Sequence, residues 1–226
     1  MPTIEVDCLL RHCTDPSIKR EAAEWQALHA VNVVKGKELR GSFNFQITGR
    51  GGVSINARNA SLFLEEVSYR SAHHIRSKYG KNVCIVPVPN SSAIASNRKS
   101  FKTLEIATRV AALVGAPCSA LDLLRWKLPV GMAHKGERTR SVDAHKGQMK
   151  VMSTTNLPIV IFDDVVTSGS QLCAAQALLE GAGMTVAGML AVAEVVNQGE
   201  RSDTPGWRTT TRNPFSISDF MDGFSF

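Results

Sequence analysis

The sequence lacks several features that would place a chain in a specialised structural class. Its five cysteines are odd in number and never form a Cys-x-x-Cys pair, which argues against a disulfide framework and a zinc ribbon. The three tryptophans are too dispersed for a stacking platform, and no apolar run reaches the roughly 18 residues of a membrane span. The N-terminal stretch has no apolar core of a signal peptide. These absences predict a soluble cytoplasmic protein.

The composition is that of a globular chain with a basic balance. Of 226 residues, 43% are hydrophobic and 20% charged, with 17 Gly and 9 Pro, which excludes long disorder, collagen and coiled coil. Lys and Arg number 26 against 20 Asp and Glu, a formal net charge of +6. The net positive charge therefore favours an anionic partner over a cationic one, and phosphates and nucleic acid are both anionic.

Hydrophobic periodicity divides the chain into three regions. Residues 1–60 are predicted to form a small N-terminal hood, with a helix over 21–34 and a hairpin around a glycine turn. Residues 61–196 alternate helices (62–78, 101–114 and 171–180) with apolar strands (83–88, 158–162 and 185–195), which predicts an α/β core with a doubly wound, mainly parallel sheet. Residues 125–150 are basic and weakly periodic, and they are predicted to be a long functional or mobile loop. Residues 197–226 form a polar C-terminal extension, for which docking and disorder are both open.

One segment carries the chemistry. An apolar strand, Ile159 to Phe162, runs into Asp163 and Asp164 and then into a small turn. That turn is Thr167, Ser168, Gly169, Ser170 and Gln171. Ligands bind beyond the carboxyl ends of strands in an open parallel sheet, so the acids are predicted at a strand tip outside the core, where they can hold vicinal hydroxyls or a hydrated divalent ion. Backbone N–H groups at the following helix start suit an anion, and a diol beside a phosphate describes a ribose 5-phosphate.

The segment resembles the phosphoribosyl pyrophosphate (PRPP) motif of the type I phosphoribosyltransferases, which has an apolar strand, an acidic pair and a turn of the form Thr-Thr-Gly-any-Thr. The resemblance implies that Asp163 and Asp164 hold the ribose hydroxyls, partly through Mg²⁺ bound directly or through water. It also implies that residues 167–170 hold the 5-phosphate. Gln171 departs from the family pattern, because Thr or Ser is usual there, although its backbone N–H and its amide can still donate. A generic strand-to-helix turn with two surface acids is the competing interpretation.

Two further segments stand where this family has functional loops. Ile85 to Val88, followed by Pro89, Asn90 and Ser91, resembles the strand and pyrophosphate loop of the family, most closely its competence-associated (ComF-like) members, which have a comparable Val-Pro-Val-Pro. The basic segment 125–150 corresponds to the flexible catalytic loop. Its available cations are Arg125, Lys127, Lys135, Arg138 and Arg140. Arg138 or Arg140 is the best candidate to neutralise the diphosphate, and a solvated basic loop is the alternative. His134 and His145 are interpreted as bystanders.

The resemblance implies a PRPP-dependent, Mg²⁺-assisted phosphoribosyltransferase that releases pyrophosphate. The acceptor is an unidentified nitrogen, because the predicted hood matches no known pattern. Two alternatives stay open: a catalytically altered regulator or effector subunit that binds nucleotide or nucleic acid in a larger complex, and hydrolysis or ribosyl transfer on a nucleotide or a nucleic-acid base. No membrane partner is predicted, and a homodimer is left open.

Overall fold

The structure is a computed structural model that describes residues 3–15, 17–129, 141–196, 200–202 and 204–214. The strands within these ranges are β1 Ile4–Cys13, β2 Ser42–Ile47, β3 Gly51–Asn56, β4 Cys84–Pro87, β5 Ser119–Ala120, β6 Leu124–Trp126, β7 Met149–Val151, β8 Ile159–Val166, β9 Val186–Val196 and β10 Arg208–Arg212. The helices are α1 Ala22–Val34, α2 Ala60–Tyr79, α3 Lys102–Val114, α4 Val142–Gln148 and α5 Ser170–Gly181. None of these helices has the length and apolar character needed to span a membrane.

A six-stranded sheet forms the centre, in the order β10-β1-β9-β8-β4-β5. Every neighbouring pair in it is parallel except β10 with β1, which is antiparallel. Strands β2 and β3 form a separate hairpin, and β6 pairs with β7. This architecture confirms the predicted α/β class with a mainly parallel sheet.

Helices cover both faces of the sheet, and a hydrophobic core lies under each layer. On one face, helices α1, α2 and α3 bury residues such as Val34, Phe63 and Ile106 together with the β2–β3 hairpin. On the other face, α5 and α4 bury Leu172 and Val142. Because β4 and β8 are covered on both sides, β4 and the first four residues of β8 are continuously apolar instead of alternating.

The regular elements follow the predictions closely where hydrophobic periodicity is strong. Helices α2, α3 and α5 lie within one or two residues of the predicted spans. Periodicity does not predict strand β1, since Glu5, Asp7, Arg11 and His12 interrupt its apolar pattern, yet it pairs with both β9 and β10. The division into hood, core and extension stays a prediction. The structure adds that segments 4–13 and 208–212, which lie outside the predicted core, are strands of the central sheet.

The prediction of one long loop over 125–150 is wrong where the structure describes that segment. It contains most of β6, all of α4 and the start of β7, while residues 130–140 lie outside the described residues. The Trp126 side chain is fully buried, and its indole N–H donates to the carbonyl oxygens of Pro89 and Asn90 at 3.1 and 2.8 Å. The segment is therefore anchored to the loop that follows β4.

Candidate functional site

The carboxyl ends of β4, β8 and β9 meet at one edge of the sheet, because the three strands are parallel neighbours. Strand β8 continues through Asp163 and Asp164 to Val166, and Asp163 lies opposite Ala191 of β9. The acids are thus part of the strand and not at a tip beyond it, which corrects the prediction. Asp163 is only 9% exposed, and Asp164 is half-buried.

Each of the two carboxylates is held by a backbone amide. The Oδ1 atom of Asp163 accepts from the N–H of Asp164 at 2.8 Å, and Oδ1 of Asp164 accepts from the N–H of Val165 at 2.7 Å. Burial raises the pKa of Asp163 well above its ordinary value, and the neighbouring Asp164 charge raises it further. Burial also raises the pKa of Asp164, while the Lys35 ammonium opposes the rise in both. Such a pair favours a ligand that supplies positive charge or hydroxyl donors.

The turn after β8 depends on Gly169. This residue has φ +82°, a left-handed conformation that an L side chain rarely adopts. A Cβ atom at this position would lie 2.9 Å from Cδ1 of Ile4 and 3.1 Å from Cβ of Arg212, so the glycine is required for packing as well. It precedes α5, a helix of 12 residues whose first N–H groups have no partner within the helix.

A cavity of roughly 200 Å³ opens between this turn, Asp163 and His145. The hydroxyls of Thr167, Ser168 and Ser170 belong to its lining residues, and the Ser168 and Ser170 oxygens are 3.0 Å apart. The structure therefore brings together the predicted residues 163 and 167–171 around one polar space. His145, interpreted from the sequence as a bystander, is buried in the wall of the same cavity.

Gln171 connects two of the predicted loops. Its side-chain amide donates to the carbonyl oxygen of Pro89 at 2.9 Å, the same oxygen that accepts from Trp126. The Asn90 side chain accepts from the backbone N–H and the hydroxyl of Ser92, so it shapes its own turn, while Ser91 is exposed. Gln171 stands where the resembled family usually has Thr or Ser. Its amide therefore fixes the spacing between the turn 167–171 and the loop 89–91.

The basic candidates divide into two groups. Arg138, Arg140, His134 and Lys135 lie outside the described residues. Arg125 is buried, and its guanidinium donates to the Asp122 carboxylate at 2.7 Å and to the Lys99 carbonyl oxygen at 2.8 Å. The prediction that Arg125 is available to a diphosphate is wrong, because these bonds fix it inside the fold. The Lys127 ammonium donates to the Gly147 carbonyl oxygen.

A second, larger cavity of about 750 Å³ lies beside the first and shares Thr167 and Ser168 with it. Sequence reasoning missed its basic wall, which is formed by His12, Lys35, Lys37 and Arg212. Burial, together with the charges of Lys35 and Arg20, lowers the pKa of His12 to about 4. These side chains come from β1, from the segment directly after α1 and from β10, so no local sequence signal links them.

An ion cluster around the buried Glu194 carboxylate fixes β10 beside the turn 167–171. Glu194, at the end of β9, accepts from Arg212 at 2.7 Å and from Arg11 at 3.1 Å. Arg212 also donates to the Val195 carbonyl oxygen at 3.1 Å. Since the Arg212 side chain packs against Gly169, the last described strand helps to define the site.

The acidic pair suits a hydrated divalent cation. Carboxylate oxygens are ligands that Mg²⁺ prefers, and Mg²⁺ commonly keeps waters and substrate oxygens beside one or two carboxylates. No group of three or more His, Cys, Asp or Glu side chains that could hold a metal occurs in the described part of the chain. Mg²⁺ at Asp163 and Asp164 would consequently depend on water and substrate for its remaining ligands.

No protein-family model and no curated protein matches the chain. Among solved structures, an adenine phosphoribosyltransferase is 13% identical with a TM-score of 0.42, over 78% of this chain and 99% of that one. The Saccharomyces cerevisiae adenine phosphoribosyltransferase, complexed with an imino-altritol bisphosphate and adenine, is 13% identical with a TM-score of 0.41, over 76% and 88%. Orotate phosphoribosyltransferase from Aeropyrum pernix is 16% identical with a TM-score of 0.36, over 73% and 81%. Identities and scores this low do not assign a function to the chain.

Proposed function

We propose that this protein binds PRPP with Mg²⁺ and transfers its phosphoribosyl group to a nitrogen acceptor, with release of pyrophosphate. The observation that carries the proposal is the cavity that joins Asp163 to the turn 167–171 at the start of α5. It offers anion donors and the buried carboxylate of Asp163 within one polar space, and the half-buried Asp164 follows in the same strand, as a ribose 5-phosphate requires.

The turn is the proposed 5-phosphate site. Backbone N–H groups at the start of α5 and the positive end of its dipole attract an anion. Hydroxyls of Thr167, Ser168 and Ser170 add neutral donors, and Gly169 allows the backbone to turn sharply enough to present them. A phosphate group fits a cavity of roughly 200 Å³.

Asp163 and Asp164 are the proposed ribose and Mg²⁺ ligands. Each uses one oxygen for a backbone N–H, which orients the carboxylate and leaves the second oxygen for a hydroxyl or a metal-bound water. Mg²⁺ would neutralise charge on the leaving diphosphate. The two carboxylates would fix the sugar ring so that its C1 atom faces the acceptor.

The transfer is a substitution at C1 of the ribose. The lone pair of the acceptor nitrogen forms the new C1–N bond, the C1–O bond breaks with its electron pair leaving on pyrophosphate, and the nitrogen proton passes to solvent. In this proposal the Pro89–Ser91 loop lies near the pyrophosphate, and Arg138 or Arg140 neutralises it. The protein contributes placement and charge stabilisation and needs no covalent nucleophile.

The proposal is tested by calorimetric titration of PRPP with Mg²⁺ into the wild-type chain and into the double variant Asp163→Asn, Asp164→Asn. Wild type should bind, and the double variant should lose at least about a hundredfold in affinity, because two charged hydrogen-bond acceptors are removed. Glu65→Gln, an exposed carboxylate on α2, is the matched control and should bind like wild type. Equal PRPP affinity of the double variant would refute the assignment.

A regulator or effector subunit that binds nucleotide without turnover is the second candidate. The commitment of the Gln171 amide to Pro89 favours it, since a phosphate donor usual in the resembled family is absent at this position. PRPP binding without pyrophosphate release from any nitrogen acceptor would support this role. Closeness to the competence-associated members, a cytoplasmic location, a homodimer and a nucleic-acid partner remain predictions.

A further inference from the structure

The larger cavity combines an apolar wall with polar and cationic groups. Leu28 and Val31 of α1 and Val195 of β9 form an apolar wall, and Asn32 contributes an amide. A volume of about 750 Å³ accommodates a ring system with substituents, and small-molecule sites commonly combine apolar walls with a few polar groups. The shared residues Thr167 and Ser168 place this space directly beside the proposed phosphoribosyl site.

The charged side chains that line the larger cavity are all cationic. Its charged residues are Lys35, Lys37 and Arg212, and no Asp or Glu occurs among the described residues that line it. Arg212 shares the Glu194 carboxylate with Arg11, and Lys35 acts electrostatically on the acidic pair. Lys37 is exposed at this wall and forms no salt bridge with any described residue, so no carboxylate of the described chain neutralises its charge.

The order of strands separates this cavity from the proposed pyrophosphate position. The Pro89–Ser91 loop follows β4 on one side of β8, whereas the cavity is lined by residues of β9, β1 and β10 on the other side. Substitution at C1 places the incoming nucleophile and the leaving group on opposite sides of that atom. The cavity therefore lies where an acceptor, and not the diphosphate, would approach.

We propose that this cavity binds the acceptor, and that the acceptor is a nitrogen heterocycle bearing a negatively charged group such as a carboxylate. The inference rests on the proposed function and specifies its substrate class. The ring packs on Leu28, Val31 and Val195, and the anionic group pairs with Lys37. An uncharged ring would leave the basic wall without a counter-charge.

The test compares matched pairs that differ in one acidic group. Orotate is compared with uracil, and nicotinate with nicotinamide, by calorimetric titration into the full chain holding Mg²⁺ and ribose 5-phosphate. In at least one pair, the acid should bind at least about tenfold more tightly, the effect of one charge-assisted hydrogen bond. Equal or weaker binding of the acid in both pairs, or no binding of either acid at millimolar concentration, would overturn the inference.

Two lysine variants test whether the preference for the acid depends on Lys37. Lys37→Met should remove most of the preference for the acid while leaving the affinity for the neutral rings unchanged. Lys81 is exposed and precedes β4, which lies on the other side of β8 from the strands that line the cavity. Lys81→Met removes the same charge there and should keep the preference for the acid. A preference retained in Lys37→Met together with weakened PRPP binding would assign this lysine to the diphosphate and contradict the inference.

A separate PRPP titration distinguishes the two proposals. If PRPP binds and neither acid is preferred, only the inference about the acceptor fails. If PRPP itself does not bind in the presence of Mg²⁺, the proposed function fails and the inference fails with it.

Discussion

At position 163 the fold carries a buried carboxylate where a neutral side chain would cost less free energy. Burial and the neighbouring Asp164 charge raise its pKa, so ionising Asp163 is harder in the folded chain than in the unfolded chain. The penalty to the unligated protein is full above the raised pKa, decreases as pH falls below it, and is gone only below the ordinary pKa of a carboxyl group. Binding sites commonly retain such destabilising groups because the ligand compensates them.

Asp163→Asn should therefore raise the stability of the unligated protein. The amide oxygen can still accept from the Asp164 N–H, and a gain of about 1 kcal/mol corresponds to roughly 2–4 °C in melting temperature for a chain of this size. Thermal denaturation at pH 7 without Mg²⁺ measures it, with Glu65→Gln as the control. The idea is wrong if the variant melts at or below the wild-type temperature.

At the scale of elements, the unit formed by β8, the turn and α5 concentrates the chemistry. The strand delivers two acids, the left-handed glycine reverses the chain, and the helix start supplies N–H groups that have no partner within the helix. Strand β10 supports this unit from outside, because Arg212 packs on Gly169 and pairs with Glu194. The geometry of the turn is thus shared between a local sequence and a strand that follows much later in the chain.

Gly169→Ala should damage both the turn and the site. The left-handed conformation costs an alanine roughly 1–2 kcal/mol, and the new Cβ would press on Ile4 and Arg212. We expect a lower melting temperature and at least about tenfold weaker PRPP binding. Gly181→Ala in α5, with φ outside the left-handed region and open space around a Cβ, serves as control and should leave both unchanged or slightly improved. Wild-type PRPP affinity in Gly169→Ala would contradict the proposed role of the turn.

At the scale of the whole molecule, one buried acid joins three elements. Asp7 of β1 accepts from His74 at 2.9 Å and Lys78 at 2.7 Å on α2, and from Thr209 of β10 at 2.8 Å. Trp207 stacks on His74 with ring centroids 4.4 Å apart. Burial alone would raise the pKa of Asp7, but hydrogen bonds from His74, Lys78 and Thr209 lower it below its ordinary value. This network holds the edge strand β10 and, through it, Arg212.

Asp7→Asn should destabilise the chain by about 2 kcal/mol at pH 7, because the hydrogen bonds from His74, Lys78 and Thr209 lose their charged acceptor, while the partly exposed Lys78 ammonium stays solvated. A group with a lowered pKa stabilises the fold above its ordinary value, so the difference from wild type should persist at neutral pH and shrink only below about pH 4. Urea unfolding at pH 7 and pH 3 measures this, again with Glu65→Gln as control. A difference that is absent at pH 7, or that grows on acidification, would contradict the role of the network.

Local patterns in the sequence by themselves determine the fold class and the segment at the centre of the candidate site. The periodicity of α2, α3 and α5 and the apolar runs of β4, β8 and β9 predict the α/β class, because each pattern reports burial within about ten residues of chain. The segment 159–171 likewise places acids, hydroxyls and a glycine next to one another, so their proximity in space requires only a strand followed by a turn.

Only the tertiary structure decided how distant segments complete the site. Strand β1 carries charged residues that hid it from periodicity, and it enters the sheet because Asp7 and Arg11 find partners on α2 and β9. Arg125 looked available in sequence and is buried, whereas His12, Lys35 and Arg212 gave no signal and share one cavity wall. The pairing of β1 with β10 depends on the burial of sheet edges and of charged groups. A local sequence pattern predicts neither.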